Sequence, residues 1–304
     1  MDTPVRTITS ETLVSGVAVS NNDTALVSSA PNEAGEAVHI WDLNSGQLLQ
    51  TLRGQGGEPI ISVALSPNGQ LAVVSTEGMK AVLWDANTGR LLKSAPGPGV
   101  GADNRNRIAF SPDGQLILSS FLGDLVIFDT ALGQKSKFRD VIPGETVGAI
   151  ATSPEGRFMA GGCIRLDGGN DLAVFDLLSG QATLQVVSNK GFGVTCLAWT
   201  GNNILTGSGS GAIKLCDAQS GAVVSRPFPK HSQPVNAVAV SSDGRLALSG
   251  SDDATMKVME VSTGKELRSF SMDGGVKAVA FASNSKFAVS GSGQSLKLWD
   301  LTGL

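Results

Sequence analysis

The chain is poor in the residues that carry most protein chemistry. Of its 304 residues only 16% are charged and 5% aromatic, and it has no tyrosine, two histidines and three cysteines. Two histidines without any Cys-x-x-Cys pair do not make a zinc site, and three cysteines do not make a disulfide framework. The free cysteines fall in strand-like runs, where cysteine acts as a small apolar residue. We therefore predict no catalytic residues, no metal and no cofactor.

Charge and hydropathy exclude further classes of protein. Lys and Arg total 23 against 27 Asp and Glu, so the net charge is -4. A nucleic-acid binder typically has an excess of basic residues, which this chain does not have. Gly, Ser, Asn or Asp interrupts every apolar run, so no run has the length of a membrane helix. The first residues have no basic region followed by an apolar stretch, unlike a signal peptide. We expect no nucleic acid, no membrane and a cytoplasmic location.

One unit repeats through the whole chain. It is an alternating apolar run that ends in an aromatic or apolar residue followed by an acid. The seven acids lie 40 to 47 residues apart, at Asp42, Asp85, Asp129, Asp176, Asp217, Glu260 and Asp300. Periods of this length indicate a repeat architecture. Seven units fill the chain, which predicts a single domain over residues 1–304.

Turns and short apolar runs fill each unit. A Gly-containing turn follows each acid, and a second turn such as Ser-Pro-Asn-Gly at 66–69 or Ser-Pro-Asp-Gly at 111–114 lies upstream. The runs between them alternate and are rich in β-branched residues, which predicts strands. An alanine also stands at one position in the first strand of every unit, where we expect the units to converge around an axis: Ala18, Ala64, Ala109, Ala151, Ala198, Ala239 and Ala280. No segment has a helical period, so the fold is all-β.

These units resemble the WD-repeat β-propeller family over the entire chain. The family is named for a Trp-Asp pair, which occurs here as Trp41-Asp42, Trp84-Asp85 and Trp299-Asp300. The resemblance implies a single seven-bladed β-propeller of four-stranded antiparallel blades around a channel, with the first strand of each blade innermost.

The two ends of the sequence predict how the ring closes. The last unit stops shortly after Asp300, so its outermost strand is missing, whereas Pro4–Thr9 is a strand-like segment without a unit of its own. Pairing this N-terminal strand with the last blade closes the ring and removes two exposed sheet edges.

One blade retains part of a polar network typical of the family. The resemblance implies a buried hydrogen-bond chain of His231, Ser249 and Asp253, but Met259 stands where the family has Trp. The Trp position holds Phe or Cys in other units, so the cohesion of the blades is expected to depend mainly on apolar packing.

The longest inter-strand loops predict a candidate partner surface on one rim of the propeller. They carry four arginines, and two phenylalanines are expected nearby: Arg105, Arg107, Arg139, Arg165, Phe121 and Phe192. Arginine forks bind carboxylates and phosphates, and an aromatic ring beside them is typical of an interface anchor. The alternatives are solvated loop charges, interleaved with nearby acids, and phenylalanines that pack at blade edges.

Together these features favour a non-catalytic scaffold or adaptor that docks a partner segment on this rim. The expected partner is a protein or peptide, acidic or phosphorylated, and the chain is expected to be monomeric alone and part of a larger assembly. Two other hypotheses remain open. One is a ligand-binding or catalytic propeller that uses the central channel. The other is an oligomerising or purely structural subunit.

Overall fold

The described part of the chain folds into 27 β-strands and contains no helix. The computed structural model describes residues 3–10, 13–29, 37–53, 60–76, 80–96, 107–121, 124–138, 146–164, 170–188, 193–224 and 227–304. This confirms the all-β prediction and the resemblance to a propeller. No helix in this part of the chain is long and apolar enough to cross a membrane.

The strands form seven sheets in chain order, which we call blades one to seven. The first three blades are β2 (Val14–Val19), β3 (Thr24–Ser29), β4 (Ala37–Asp42) and β5 (Leu48–Arg53); β6 (Ile60–Leu65), β7 (Leu71–Thr76), β8 (Lys80–Asp85) and β9 (Leu91–Pro96); and β10 (Arg107–Phe110), β11 (Leu116–Phe121), β12 (Asp124–Asp129) and β13 (Gln134–Phe138). Blades four and five are β14 (Thr146–Thr152), β15 (Phe158–Ile164), β16 (Asn170–Asp176) and β17 (Ala182–Ser188); and β18 (Val194–Thr200), β19 (Asn203–Ser208) and β20 (Ile213–Asp217). Blade six is β21 (Val235–Val240), β22 (Leu246–Ser251), β23 (Thr255–Glu260) and β24 (Glu266–Ser271), and blade seven is β25 (Val276–Phe281), β26 (Phe287–Ser292), β27 (Ser295–Asp300) and the N-terminal β1 (Arg6–Thr9).

The N-terminal strand closes the ring, as predicted. β1 pairs antiparallel with β27, with Arg6 opposite Leu298 and Ile8 opposite Leu296. Ile8 is buried in an apolar cluster that also contains residues of blade one, such as Val14. The last blade and the first are therefore joined by backbone pairing and by a shared core.

Blade five departs from the four-stranded prediction. Its sheet has three strands, and the expected fourth strand is reduced to a single bridge between Cys216 and Val223. Pro227 and Pro229 follow shortly after. Proline has no N–H to donate to a ladder, so a strand cannot continue regularly through this segment.

The repeated acids cap the turns after the third strands. Asp85 Oδ1, for example, accepts the backbone N–H groups of Asn87 at 3.0 Å and Thr88 at 2.9 Å. The hydrogen bond from the Thr88 backbone is the main cause that lowers the pKa of Asp85. A charged acid in this place therefore fixes the turn to the outer strand.

The apolar core lies between blades rather than within one centre. One cluster joins Ile40 and Leu52 of blade one to Val74 and Trp84 of blade two, and the next joins Leu83 of blade two to residues of blade three. Each blade therefore packs against the blades on both sides of it. The seven first strands lie innermost and line a central channel of about 420 Å³.

Candidate functional site

The upper end of the channel is shaped by β-bulges in the first strands. We call the face that carries the blade-to-blade connections and the turns between second and third strands the upper face. In six blades the pairing of the first and second strands shifts by one residue near this face. The extra residues are Ser15, Ile61, Gly148, Thr195, Asn236 and Lys277. A bulge re-aims side chains, and five of these six residues, all except Gly148, line the channel.

Two cations stand among the residues that line the channel. They are Arg107, the first residue of β10, and Lys277 of β25. The described lining residues include no Asp, Glu or His. The upper channel therefore combines positive charge with hydroxyl, amide and small apolar groups.

Side chains at this level also link neighbouring blades. Arg107 Nε donates to the carbonyl of Gly148 at 2.7 Å, and Asn236 Nδ2 donates to the carbonyl of Val276 at 3.0 Å. Thr195 Oγ1 donates to the carbonyl of Val235 in the same way. The rigid backbone of the next blade thus holds these polar groups in place around the channel.

Lys277 is part of a small charged cluster. Its Nζ lies 2.5 Å from Oδ1 of Asp252, and Asn236 Nδ2 donates to the same oxygen at 2.7 Å. Burial alone would raise the pKa of Asp252, but the hydrogen bonds from Lys277 and Asn236 outweigh it and lower the pKa. The side chain of Lys277 stays 48% exposed, so this cation is still accessible from solvent.

Most of the predicted rim residues fall outside the described part of the chain. Arg105, Arg139, Arg165 and Phe192 lie there, and of Phe121 only the backbone is described, at the end of β11. Arg107 is the one predicted partner residue with a described side chain, and it lies at the channel rather than on an outer loop. The sequence reasoning missed Lys277, Asn236 and Thr195. The sequence did contain a sign of these residues, because each of them lies three residues before one of the repeated alanines.

The network of His231, Ser249 and Asp253 has the connectivity of a catalytic triad. His231 Nδ1 lies 2.8 Å from Asp253 Oδ2, and His231 Nε2 lies 2.8 Å from Ser249 Oγ. His231 is 1% exposed and Ser249 is fully buried. Burial is the main cause that lowers the pKa of His231. A substrate has no access to this serine, so the network is structural.

The Trp-Asp pairs take structural positions too. Trp84 and Trp299 are buried, and Trp299 Nε1 donates to Ser290 Oγ at 2.9 Å. Trp41 packs partly buried against the cluster between blades seven and one. Asp42 Oδ1 accepts from the backbone and hydroxyl of Ser45, and Asp300 Oδ1 accepts from the backbone and hydroxyl of Thr302.

Within the described residues no group of three or more His, Cys, Asp or Glu side chains is arranged to hold a metal ion. Cys196 and Cys216 are free and buried. Burial raises the pKa of Cys196 to about 12 and also raises the pKa of Cys216. Neither thiol is therefore ionised at neutral pH, and neither is suited to nucleophilic chemistry.

This chain is similar to known proteins at the level of its repeats. The family profile described as "WD domain, G-beta repeat" matches residues 46–85, 223–259 and 264–300. Telomerase protein component 1 of Rattus norvegicus is 28% identical over 262 residues, which cover 82% of this chain and 10% of that protein. WD repeat-containing protein SL1-17 of Schistosoma mansoni is 31% identical over 159 residues, 50% of this chain and 49% of that protein. Small ribosomal subunit protein RACK1 of Medicago sativa is 38% identical over 73 residues, 23% of this chain and 22% of that protein. The chain thus spans half or less of each relative.

Proposed function

Because the chain is a WD-repeat β-propeller, we propose that it is a non-catalytic scaffold that binds a segment of a partner protein over the upper mouth of its channel. The observation that carries this proposal is the charge of the mouth. Arg107 and Lys277 line it, Lys277 in an ion pair with Asp252 outside the lining, and no carboxylate is found among its described lining residues. The partner segment is acidic or phosphorylated, since such groups complement this charge.

The fixed guanidinium of Arg107 supports this choice of partner. Its Nε donates to the Gly148 carbonyl at 2.7 Å, which fixes the position of the guanidinium. Holding the group in one place lowers the entropy that a ligand must overcome when it binds. Arg105, Arg139 and Arg165 stay part of the proposal as further contacts on the loops of the same face.

A catalytic role has little support in the described residues. The triad-like serine is fully buried, and the channel lining offers no acid or histidine for proton transfer. Two relatives carry names of assembly components, a telomerase protein component and a small ribosomal subunit protein. Membership of a larger cytoplasmic assembly, through a chain that is monomeric by itself, therefore belongs to the proposal.

The test compares partner capture from native lysate by the parent and by a triple variant, Arg105→Ala, Arg107→Ala and Arg139→Ala. A matched control removes three exposed cations from turns of the opposite face, Arg90→Ala, Lys265→Ala and Lys286→Ala. Capture is repeated at low and moderate salt and after phosphatase treatment of the lysate. All three proteins are first checked for equal melting temperatures.

We expect the parent and the control to retain the same partners and the triple variant to lose them. Binding should weaken as salt rises, because exposed charges are screened. If the triple variant still captures the same partners, the interaction site lies away from this mouth. If the parent captures nothing, the scaffold proposal fails, and small anions should be screened against the channel.

A further inference from the structure

A second cavity lies at the lower face, between blades four and five. It has a volume of about 290 Å³ and lies at the opposite end of the blades from the channel mouth. Blade four contributes Phe158 and Glu155, and blade five contributes Trp199, Asn202 and Asp217. Ligand pockets usually measure about 300–1,000 Å³, so this one suits a single large side chain rather than a cofactor.

Glu155 lines this cavity because it breaks the pattern of its turn. At the same turn position Asn68 and Asp113 accept a hydrogen bond from the serine two residues earlier, Ser66 and Ser111, at 2.7 and 2.5 Å. Each also accepts the backbone N–H two residues later at 3.0 Å. Glu155 is one methylene longer, and within the described part of the chain it has no such bond. Its carboxylate is exposed at the cavity instead of being used by the turn.

Asp217 supplies a second carboxylate. It is the repeated acid of blade five, and its bonds from the turn residues Gln219 and Ser220 all go to Oδ1. The hydrogen bond from the Ser220 hydroxyl is the main cause that lowers the pKa of Asp217. No Lys or Arg is among the described residues that line the cavity. Within this described lining, therefore, no cation balances the negative charge of the two carboxylates.

Two aromatic rings complete the cavity. Trp199 is half-buried, and its Nε1 is already satisfied by the carbonyl of Gly201 at 2.8 Å. A ring whose N–H is satisfied interacts with a ligand through its faces, and an indole face attracts cations more strongly than a phenyl ring does. Phe158 stands on the blade-four side.

An arginine of the chain itself binds next to the cavity to the same two kinds of group, an aromatic ring and a carboxylate. The guanidinium of Arg157 lies 5.0 Å from the centre of the Phe158 ring. The same group donates to Asp176 Oδ2 through Nε at 3.1 Å and through a terminal nitrogen at 2.9 Å. One guanidinium is thus held by an aromatic ring and a carboxylate together, which are the two kinds of group that line the cavity.

We propose that the cavity between blades four and five is a binding site for an arginine side chain of a partner protein. A guanidinium stacks on the Trp199 ring and donates to Glu155 and Asp217 at the same time. Arginine fits better than lysine because its planar group combines stacking with forked donation. This site is independent of the channel mouth, and it gives the propeller a second, oppositely charged contact.

The experiment titrates ¹⁵N-labelled protein with three short acetylated and amidated peptides, Gly-Gly-X-Gly-Gly, in which X is arginine, lysine or citrulline. The signal followed is the indole N–H of Trp199, assigned by its loss in Trp199→Phe. The variant Glu155→Gln removes the negative charge of the carboxylate that makes no hydrogen bond within its turn. The matched control is Asp113→Asn, which removes a carboxylate from the same turn position in blade three. The melting temperature of each variant is compared with that of the parent.

We expect the arginine peptide to shift the Trp199 signal with a saturating curve and the citrulline peptide to leave it unchanged. Glu155→Gln should weaken arginine binding about fivefold, the effect of a part-exposed charge pair, and Asp113→Asn should not change it. Added salt should weaken binding. The proposal is overturned if the arginine peptide gives no shift, if citrulline or lysine binds as well, or if Glu155→Gln binds like the parent. The triple variant of the channel mouth should bind the arginine peptide normally, so that the two proposals fail separately.

Discussion

The hydroxyl of Ser249 lies 2.8 Å from Nε2 of His231, fully enclosed in blade six. At the same position in blade seven, Ser290 accepts the indole N–H of Trp299 at 2.9 Å instead. In each case a methionine fills the place of the missing partner, Met259 in the Trp position of blade six and Met272 in the His position of blade seven. Ser290 also donates its hydroxyl proton to the sulfur of Met272 at 3.7 Å, so in blade seven the methionine supplies a weak acceptor as well as filling the space.

Replacing Ser249 by Ala should destabilise the protein by about 1–3 kcal/mol, because it leaves a ring nitrogen of His231 buried without a partner. The free energy of unfolding is measured in urea. Ser262→Ala, in the exposed turn after Glu260, serves as the control and should change stability by less than about 0.5 kcal/mol. Equal effects of the two substitutions would show that the bond to His231 contributes nothing.

The same histidine should make stability depend on pH. Burial lowers the pKa of His231 below its usual value, so the unfolded chain binds a proton that the folded chain resists. The stabilisation is complete above about pH 6.5, the unperturbed value, and is lost as pH falls from there toward the folded pKa. Urea midpoints between pH 8 and pH 5 should fall less steeply in His231→Gln than in the parent. His39→Gln, which removes the other histidine, separates the two contributions; a parent slope retained in His231→Gln would refute this assignment.

The features that repeat could be predicted from the sequence. The seven acids, the turns and the closing strand follow from local patterns that each unit repeats, and β1 pairs with β27 as expected. The seven acids, the turns and the closing strand depend on short-range turn and strand chemistry, which a sequence shows directly. The network of His231, Ser249 and Asp253 could be anticipated from the resemblance to the WD-repeat family.

The features that depend on neighbouring units could not be predicted in the same way. The cavity of Trp199 and Glu155 forms only when two blades pack together, so no single repeat reveals it. Arg107 was expected on a loop, but β10 begins at this residue and places it at the channel. The loss of the fourth strand in blade five did have a signal in Pro227 and Pro229. The regular spacing of the acids concealed it.

Closure of the ring should depend on Ile8. This residue is 8% exposed and packs with Leu296 of blade seven and Val14 of blade one. Ile8→Ala should destabilise the protein by about 2–4 kcal/mol, whereas Thr7→Ala, at an exposed position of the same strand, should have a small effect. Deleting residues 1–10 removes the whole strand and should lower the melting temperature by many degrees. A deletion variant that melts like the parent would rule out closure by this strand.

The thiol of Cys196 should be inert in the folded protein although its residue belongs to the channel wall. Burial raises its pKa to about 12, so the reactive thiolate is scarce at pH 8. The side chain also packs against Val235 and Gly207, where a Cβ added to the glycine would lie 2.6 Å from the sulfur. Iodoacetamide followed by peptide mapping should leave Cys196 unmodified in native protein and modify it fully in guanidinium chloride. Because alkylation needs the thiolate, modification of the native protein at a rate close to that of the unfolded chain would mean that the channel wall opens to solvent at blade five.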